Sequence, residues 1–112
     1  MVLYISNGVI SSGIQLFNCS MYIYSGGSAI SMQVNSGGYM GISSGGSATS
    51  TTVNWGGKMT VYGGATATTV NSGYMEVQGA ATSTTVNSRG YMGISSGGCA
   101  TSTTVNSGGS MG

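Results

Sequence analysis

One seven-residue pattern, Ala-x-x-x-x-Val-Asn, constrains this chain more than any other feature. It runs from Ala29 to Asn35, Ala48 to Asn54, Ala65 to Asn71, Ala81 to Asn87 and Ala100 to Asn106. The valines Val34, Val53, Val70, Val86 and Val105 are separated by 19, 17, 16 and 19 residues. After each Asn come small residues and then a methionine: Met40, Met59, Met75, Met92 and Met111. Two residues beyond the first four lies an apolar side chain, Ile42, Val61, Val77 or Ile94. Met21 and Ile23 begin the series earlier. A unit this short cannot bury its own apolar face, but stacking it on the next unit can.

The apolar positions alternate with period two, and Val, Ile, Thr and Tyr favour pleated backbone over helix. Each unit reads as strand, turn, strand, turn. Thr49 to Val53 illustrates the first strand, Asn54-Trp55-Gly56-Gly57 the turn, and Lys58 to Tyr62 the second strand. The Gly-rich clusters supply the positive φ that tight turns need. The short repeats lose residues at these turns: Gly73 stands alone where Gly37-Gly38 and Gly56-Gly57 are paired. The expected architecture is all-β: a single parallel β-solenoid (β-helix) of about six short coils, 16–19 residues each, spaced about 4.8 Å apart. Residues 1–24 read as a divergent N-terminal capping coil, with Leu3 and Ile5 as its second strand and Val9 and Ile14 in the Ala and Val places. Residues 25–112 are the repeats, the last one truncated.

Strand parity assigns the faces. The structural core should be Val34, Val53, Val70, Val86, Val105, Met40, Ile42, Met59, Val61, Met75, Val77, Met92 and Ile94. Ile30, Met32 and Val34 alternate with Ser31 and Gln33. The matching Thr49 and Thr51, Thr66 and Thr68 are therefore expected to face inward, each hydroxyl meeting backbone or a stacked Thr. Ser50 and Thr52, Ala67 and Thr69, Ser83 and Thr85, Ser102 and Thr104 then face outward. Tyr39, Lys58, Tyr74 and Tyr91 fall in one outward column, a candidate exposed aromatic ladder. The Asn column reads as turn formation and stacking.

Composition excludes several function classes. The 112 residues include 22 Gly, no Pro, no His and three charged side chains, Lys58, Glu76 and Arg89. Charged residues are 3% of the chain, against roughly 25% in an ordinary domain. Disorder is the first reading such a Gly/Ser/Thr-rich chain suggests; its 39% hydrophobic content and fixed spacing oppose it. Two scattered cations do not build a nucleic-acid interface. One carboxylate side chain and no His leave no acid–base pair, so the chain is not expected to be an enzyme. No P-loop follows the glycines, and Cys19 and Cys99 have no metal spacing. No cofactor is implied. Met1 to Ile10 lacks a secretory signal pattern, and the chain is expected to be a segment of a longer protein.

Ser44-Gly-Gly-Ser-Ala-Thr-Ser-Thr-Thr-Val-Asn54, followed by Trp55-Gly-Gly-Lys-Met-Thr-Val61, resembles the strand-loop-strand repeat of autotransporter passengers, typical of AIDA-type bacterial adhesins. The resemblance covers about residues 25–112. It implies a right-handed solenoid displayed on the bacterial cell surface or secreted as an outer-membrane autotransporter passenger. It implies adhesion or autoaggregation through contacts with a host surface or other copies. It also implies heptose on Ser and Thr, added by an autotransporter heptosyltransferase. Carried over by position, the candidate O-glycosylation residues are Ser50, Thr52, Thr69, Ser83, Thr85, Ser102 and Thr104, with turn serines Ser36, Ser72, Ser88 and Ser107. Two other readings stand beside this one. One is an ice-binding solenoid, suggested by Thr-x-Thr recurrence but opposed by inward parity. The other is a filament subunit associating end to end.

Overall fold

A computed structural model describes residues 2–5, 8–87, 89–95, 97–106 and 108–111. Among them are nineteen strands, with no helix. The first coil holds β1 (Val2–Ile5), β2 (Ile10–Ser12) and β3 (Gln15–Leu16). The second holds β4 (Ser20–Ile23), β5 (Ser28–Ile30) and β6 (Gln33–Val34). The third holds β7 (Tyr39–Ile42), β8 (Ser47–Thr49) and β9 (Thr52–Val53). The fourth holds β10 (Lys58–Val61), β11 (Gly64–Thr66) and β12 (Thr69–Val70). The fifth holds β13 (Tyr74–Val77), β14 (Ala80–Thr82) and β15 (Thr85–Val86). The sixth holds β16 (Tyr91–Ile94), β17 (Cys99–Thr101) and β18 (Thr104–Val105), and β19 (Ser110–Met111) begins the next.

Every coil therefore has three strands, where the sequence pattern reads as two. The first strand of each coil pairs in one seven-stranded sheet, the second and third in two six-stranded sheets, all parallel. We call them the first, second and third sheets. The extra corner falls inside the expected strand from Thr49 to Val53. Ser50 has φ 56°, and the equivalent Ser31, Ala67, Ser83 and Ser102 have φ 54–57°. The left-handed conformation costs an L-residue roughly 1–2 kcal/mol, and it recurs here because the ladder runs through it. Ser31, Ser50, Ala67 and Ser83 each donate an amide to the next coil, to Thr49, Thr66, Thr82 and Thr101 oxygens at 2.9 Å.

This corner resets parity, and two expectations change with it. Thr49 and Thr66 lie exposed, as do Thr82 and Thr101. Ile30 is 39% exposed. The inward place is taken by Ala29, Ala48, Ala65 and Ala81, which explains the fixed alanine of the repeat. Beyond the corner Met32, Thr51, Thr68 and Thr84 turn inward and are fully buried. The hydroxyls of Thr51, Thr68, Thr84 and Thr103 have no hydrogen-bond partner among the described residues, contrary to the expected backbone or Thr–Thr bond. Register also corrects the first coil. Ser11 pairs with Ala29 and Leu16 with Val34, so these hold the Ala and Val places instead of Val9 and Ile14. Leu3 and Ile5 align with Met21 and Ile23 as expected.

The core is a set of columns. Met21, Met40, Met59, Met75 and Met92 stack along the first sheet, beside Ile23, Ile42, Val61 and Val77. Leu16, Val34, Val53, Val70 and Val86 stack along the third. Burying each of these side chains contributes on the order of 1.5–3 kcal/mol before chain entropy is counted. Ile94 is partly buried against this core. Val105 departs from its expected place: it is 42% exposed, because no later coil of the described chain covers it. The Met111 side chain lies outside the described residues.

Length variation is absorbed at corners, and the strands keep register. Four residues join β7 to β8, but only Tyr62 and Gly63 join β10 to β11. The third corner is an Asn-led turn. The Asn54 carbonyl accepts from the Gly57 amide at 2.9 Å, and Gly56 takes φ 78°. A Cβ on Gly57 would lie 2.5 Å from the Val34 carbonyl oxygen. The Asn side chains form rungs across coils. Asn54 Nδ2 donates to Asn35 Oδ1 at 2.7 Å, Asn87 to Asn71 at 2.6 Å, and Asn106 to Asn87 at 2.6 Å.

Two outcomes follow for stability. Thr68→Val removes a buried hydroxyl that bonds to nothing, so it should raise stability by about 1–2 kcal/mol, seen as a higher urea midpoint. A lower midpoint would show that the hydroxyl is bonded in solution. Asn87→Ala cuts two rungs at once and leaves polar atoms of Asn71 and Asn106 unpaired. The urea midpoint should fall by the equivalent of roughly 1–3 kcal/mol.

Candidate functional site

The described residues enclose no pocket, so chemistry must be sought on the outer faces. The corner between the second and third sheets carries the densest polar display. On one side the exposed Thr49, Thr66, Thr82 and Thr101 align through strand register. On the other, Thr52, Thr69, Thr85 and Thr104 align. At the apex sit Ser50, Ser83 and Ser102, all exposed, with Ala67 in the fourth coil. The left-handed backbone at the apex projects these serines from the bend.

This corner brings together seven of the candidate acceptors. Ser50, Ser83, Ser102 and Thr104 are exposed, while Thr52, Thr69 and Thr85 are half-buried. The turn serines lie elsewhere, at the corner between the third and first sheets. There Ser36 is exposed and Ser72 is half-buried with its own side-chain interaction. Ser88 and Ser107 lie outside the described residues. Sequence parity missed Thr49, Thr66, Thr82 and Thr101. The signal that could have found them was the fixed alanine one residue earlier, which marks an inward position. The corner also divides each Thr-x-Thr pair: Thr49 points out and Thr51 in. No flat row of paired threonines of the kind an ice-binding face requires is formed by them.

The first sheet carries the aromatic display. Tyr39, Lys58, Tyr74 and Tyr91 occupy one outward column through strand register. Tyr74 and Tyr91 stack with ring centroids 5.1 Å apart and planes 8° from parallel. Lys58 Nζ lies 5.5 Å from the Tyr74 ring centre, a cation–π arrangement worth about 0.5–1 kcal/mol at an exposed position. Tyr39 lies over Gly41 and meets Tyr22 at 5.9 Å. A second cluster went unread in the sequence: Tyr4 lies 5.9 Å from Tyr22 and 5.8 Å from Tyr24. Its signal was the Tyr22-x-Tyr24 spacing, which puts both rings on one face.

Electrostatics on this sheet centre on Glu76. Tyr74 Oη donates to Glu76 Oε2 at 3.5 Å, and Gln78 Nε2 and Ser95 Oγ donate to Oε1 at 3.3 and 3.4 Å. Burial, then the negative Glu76 and the neighbouring Tyr91, push the Tyr74 phenol above the ordinary tyrosine value. Among the described residues no three metal-ligating side chains converge. Cys19 is half-buried and Cys99 exposed, both as free thiols.

Known proteins share this architecture. Residues 5–74, more than half of the chain, match the family model described as "AIDA: Adhesin of bacterial autotransporter system, probable stalk". Among solved structures, the chain is similar to the TibC-catalysed hyper-glycosylated TibA55-350 fragment, at 40% sequence identity and a TM-score of 0.84. That match covers 98% of this chain and 42% of the TibA fragment chain, so the present chain spans less than half of its neighbour's length. A comparison with curated proteins gives no match. The family model matches more than half of the chain, and the fold matches that of the TibA fragment: this chain belongs to the AIDA family of bacterial autotransporter adhesins.

Proposed function

We propose that this chain is a non-catalytic segment of a surface-displayed or secreted autotransporter passenger, mediating adhesion or autoaggregation, and that its Ser/Thr corner accepts sugar. The observation that carries the acceptor reading is the apex row Ser50, Ser83 and Ser102. These hydroxyls are exposed, recur at one corner of the third, fifth and sixth coils, and stand on a bend where an enzyme can approach from two sides. The similar TibA fragment is glycosylated by TibC, which supports a heptosyltransferase as the modifying partner here. The flanking Thr52, Thr69, Thr85 and Thr104, with Ser36, Ser72, Ser88 and Ser107, form the wider candidate set.

The surface suits weak, repeated contact. It presents few charges, so long-range steering contributes little. A rod bearing one small contact per coil gains strength through simultaneous engagement of many. Host-surface ligands or other copies of the chain are the partners this reading names. Tyr39, Lys58, Tyr74 and Tyr91 are proposed as a contact ladder on the face away from the acceptor corner.

Co-expression with an autotransporter heptosyltransferase tests the acceptor reading. Intact mass should rise in multiples of one heptose, and peptide mapping should place the sugar first on Ser50, Ser83 and Ser102. Replacing these three by Ala should remove at least about half of the added mass. An unchanged mass in the parent chain would sink the reading. Adhesion is tested separately: a passenger deleted for these coils should clump and attach less than the intact one, and equal clumping would count against a contact role.

A further inference from the structure

The polar cluster at Glu76 lies on a different sheet from the acceptor corner and is not used by it. Glu76 is the one carboxylate side chain of the sequence. It stands half-buried on the outer face of β13, with Thr60 and Gly93 as its register neighbours. Tyr74 Oη, Gln78 Nε2 and Ser95 Oγ approach it at 3.3–3.5 Å. These distances are long against the 2.7–3.2 Å of a well-formed bond, so the carboxylate keeps much of its accepting capacity. Gln78 Nε2 is further shared with Tyr62 Oη at 3.5 Å.

Gly93 lies beside this carboxylate, buried beneath two tyrosine side chains. A Cβ there would lie 3.1 Å from Tyr91 Cε2, 3.4 Å from Tyr91 Oη and 3.6 Å from Tyr74 Oη. Both phenols therefore cover the glycine, and the Tyr74 hydroxyl also reaches Glu76. The Tyr91 ring is 38% exposed and parallel to Tyr74. The outer face here thus offers one strong acceptor, two phenol hydroxyls, a serine hydroxyl, an amide and apolar ring surface within two neighbouring coils.

We infer that Glu76, Tyr74, Tyr91, Gln78 and Ser95, arranged around Gly93, bind a sugar ring that presents adjacent hydroxyls. A carboxylate can accept from two neighbouring hydroxyls at once. The phenols, serine and amide can both donate and accept, which matches an alcohol-rich ligand. The exposed tyrosine ring takes the apolar C–H face of the sugar. Other ligand classes fit worse. A divalent cation needs several oxygen ligands, and only one carboxylate is present. A phosphate would meet Glu76 with like charge.

This inference deepens the adhesion reading by naming its ligand, and it does not depend on the acceptor corner being modified. The shared chemistry is a hydroxylated ring, whether on a foreign surface or on another copy's Ser/Thr corner. Amide chemical shifts of the unmodified 112-residue chain would be followed while methyl α-mannoside or methyl β-galactoside is added. A second arm adds the heptosylated chain in place of the free sugars. Perturbations centred on Tyr74, Glu76 and Gly93 are expected with at least one probe. Response to the free glycosides points to a foreign glycan, and response to the modified chain alone points to self-recognition. Glu76→Gln should weaken binding by about tenfold or more, since a hydrogen bond to a charged group is lost. Gln78→Ala should weaken it less, and the amide spectrum reports directly that each variant is folded. The site is overturned if no probe moves these amides, or if Glu76→Gln binds as tightly as the parent.

The unmodified chain is used for the glycoside arm, so failure of glycosylation leaves that arm intact. Conversely, loss of sugar binding leaves the mass measurement on the acceptor serines untouched.

Discussion

In a parallel, in-register ladder each side chain lies about 4.8 Å from its counterpart in the next coil. Like therefore sits on like, and the whole molecule follows from which side chains tolerate that. Val on Val and Met on Met bury continuous apolar columns, as Val53 on Val34 and Met59 on Met40 do. Asn on Asn is favourable because an amide both donates and accepts, giving the 2.6–2.7 Å rungs at the third corner. Charge on like charge is the one arrangement the ladder penalises in every coil. The two charged residues of the first sheet obey that rule. Lys58 pairs in register with Tyr39 and Tyr74, and Glu76 with Thr60 and Gly93. A composition that would suggest disorder in an ordinary chain is what this geometry selects.

The columns were legible in the sequence because their period survives any uncertainty about the path of the chain. Val34, Val53, Val70 and Val86 recur in the motif, and a recurrent apolar position next to a recurrent Asn can only be a stacked one. The third sheet was not legible, and the reason lies in one backbone angle. The alternation of Ile30, Met32 and Val34 implies a continuous strand. Ser31 has φ 55°, so Ile30 leaves the core and Ala29 enters it. Serine and alanine are not residues that announce a left-handed bend as glycine does. Only Gly13, at the equivalent corner of the first coil, carries that signal. The same bend moved Thr49 and its counterparts onto the surface, and they are the part of the candidate site that parity could not find.

The corners also explain how the coil tolerates 16 to 19 residues without losing register. Strand ends are pinned by ladder bonds to the coils on either side, while the connecting turn has one face in water. Deleting a residue there shortens the turn and leaves the columns aligned. Tyr62 and Gly63 span what four residues span after β7, yet Ala65 still pairs with Ala48. Surface chemistry can therefore vary at the corners and outward columns without cost to the core.

That separation has a consequence for function. The inward columns spend the chain's apolar residues on stability, and the outward columns are free to differ between sheets. The second and third sheets meet at a ridge of small hydroxyl side chains, held out by left-handed serines. The first sheet has tyrosines, their rings laid over Gly41 and Gly93. One ridge has the hydroxyls proposed as sugar acceptors; the other face has the rings and carboxylate proposed to hold sugar. The hydroxyl ridge runs along several coils, whereas the carboxylate stands in one coil only, on a different side. A single coil would offer one weak contact, but a row of coils engages many at once, and effective concentration converts weak contacts into firm attachment. Repetition thus serves twice in the same geometry: it buries the Val and Met columns, and in the proposed adhesive role it lets a nearly uncharged surface make many weak contacts at once.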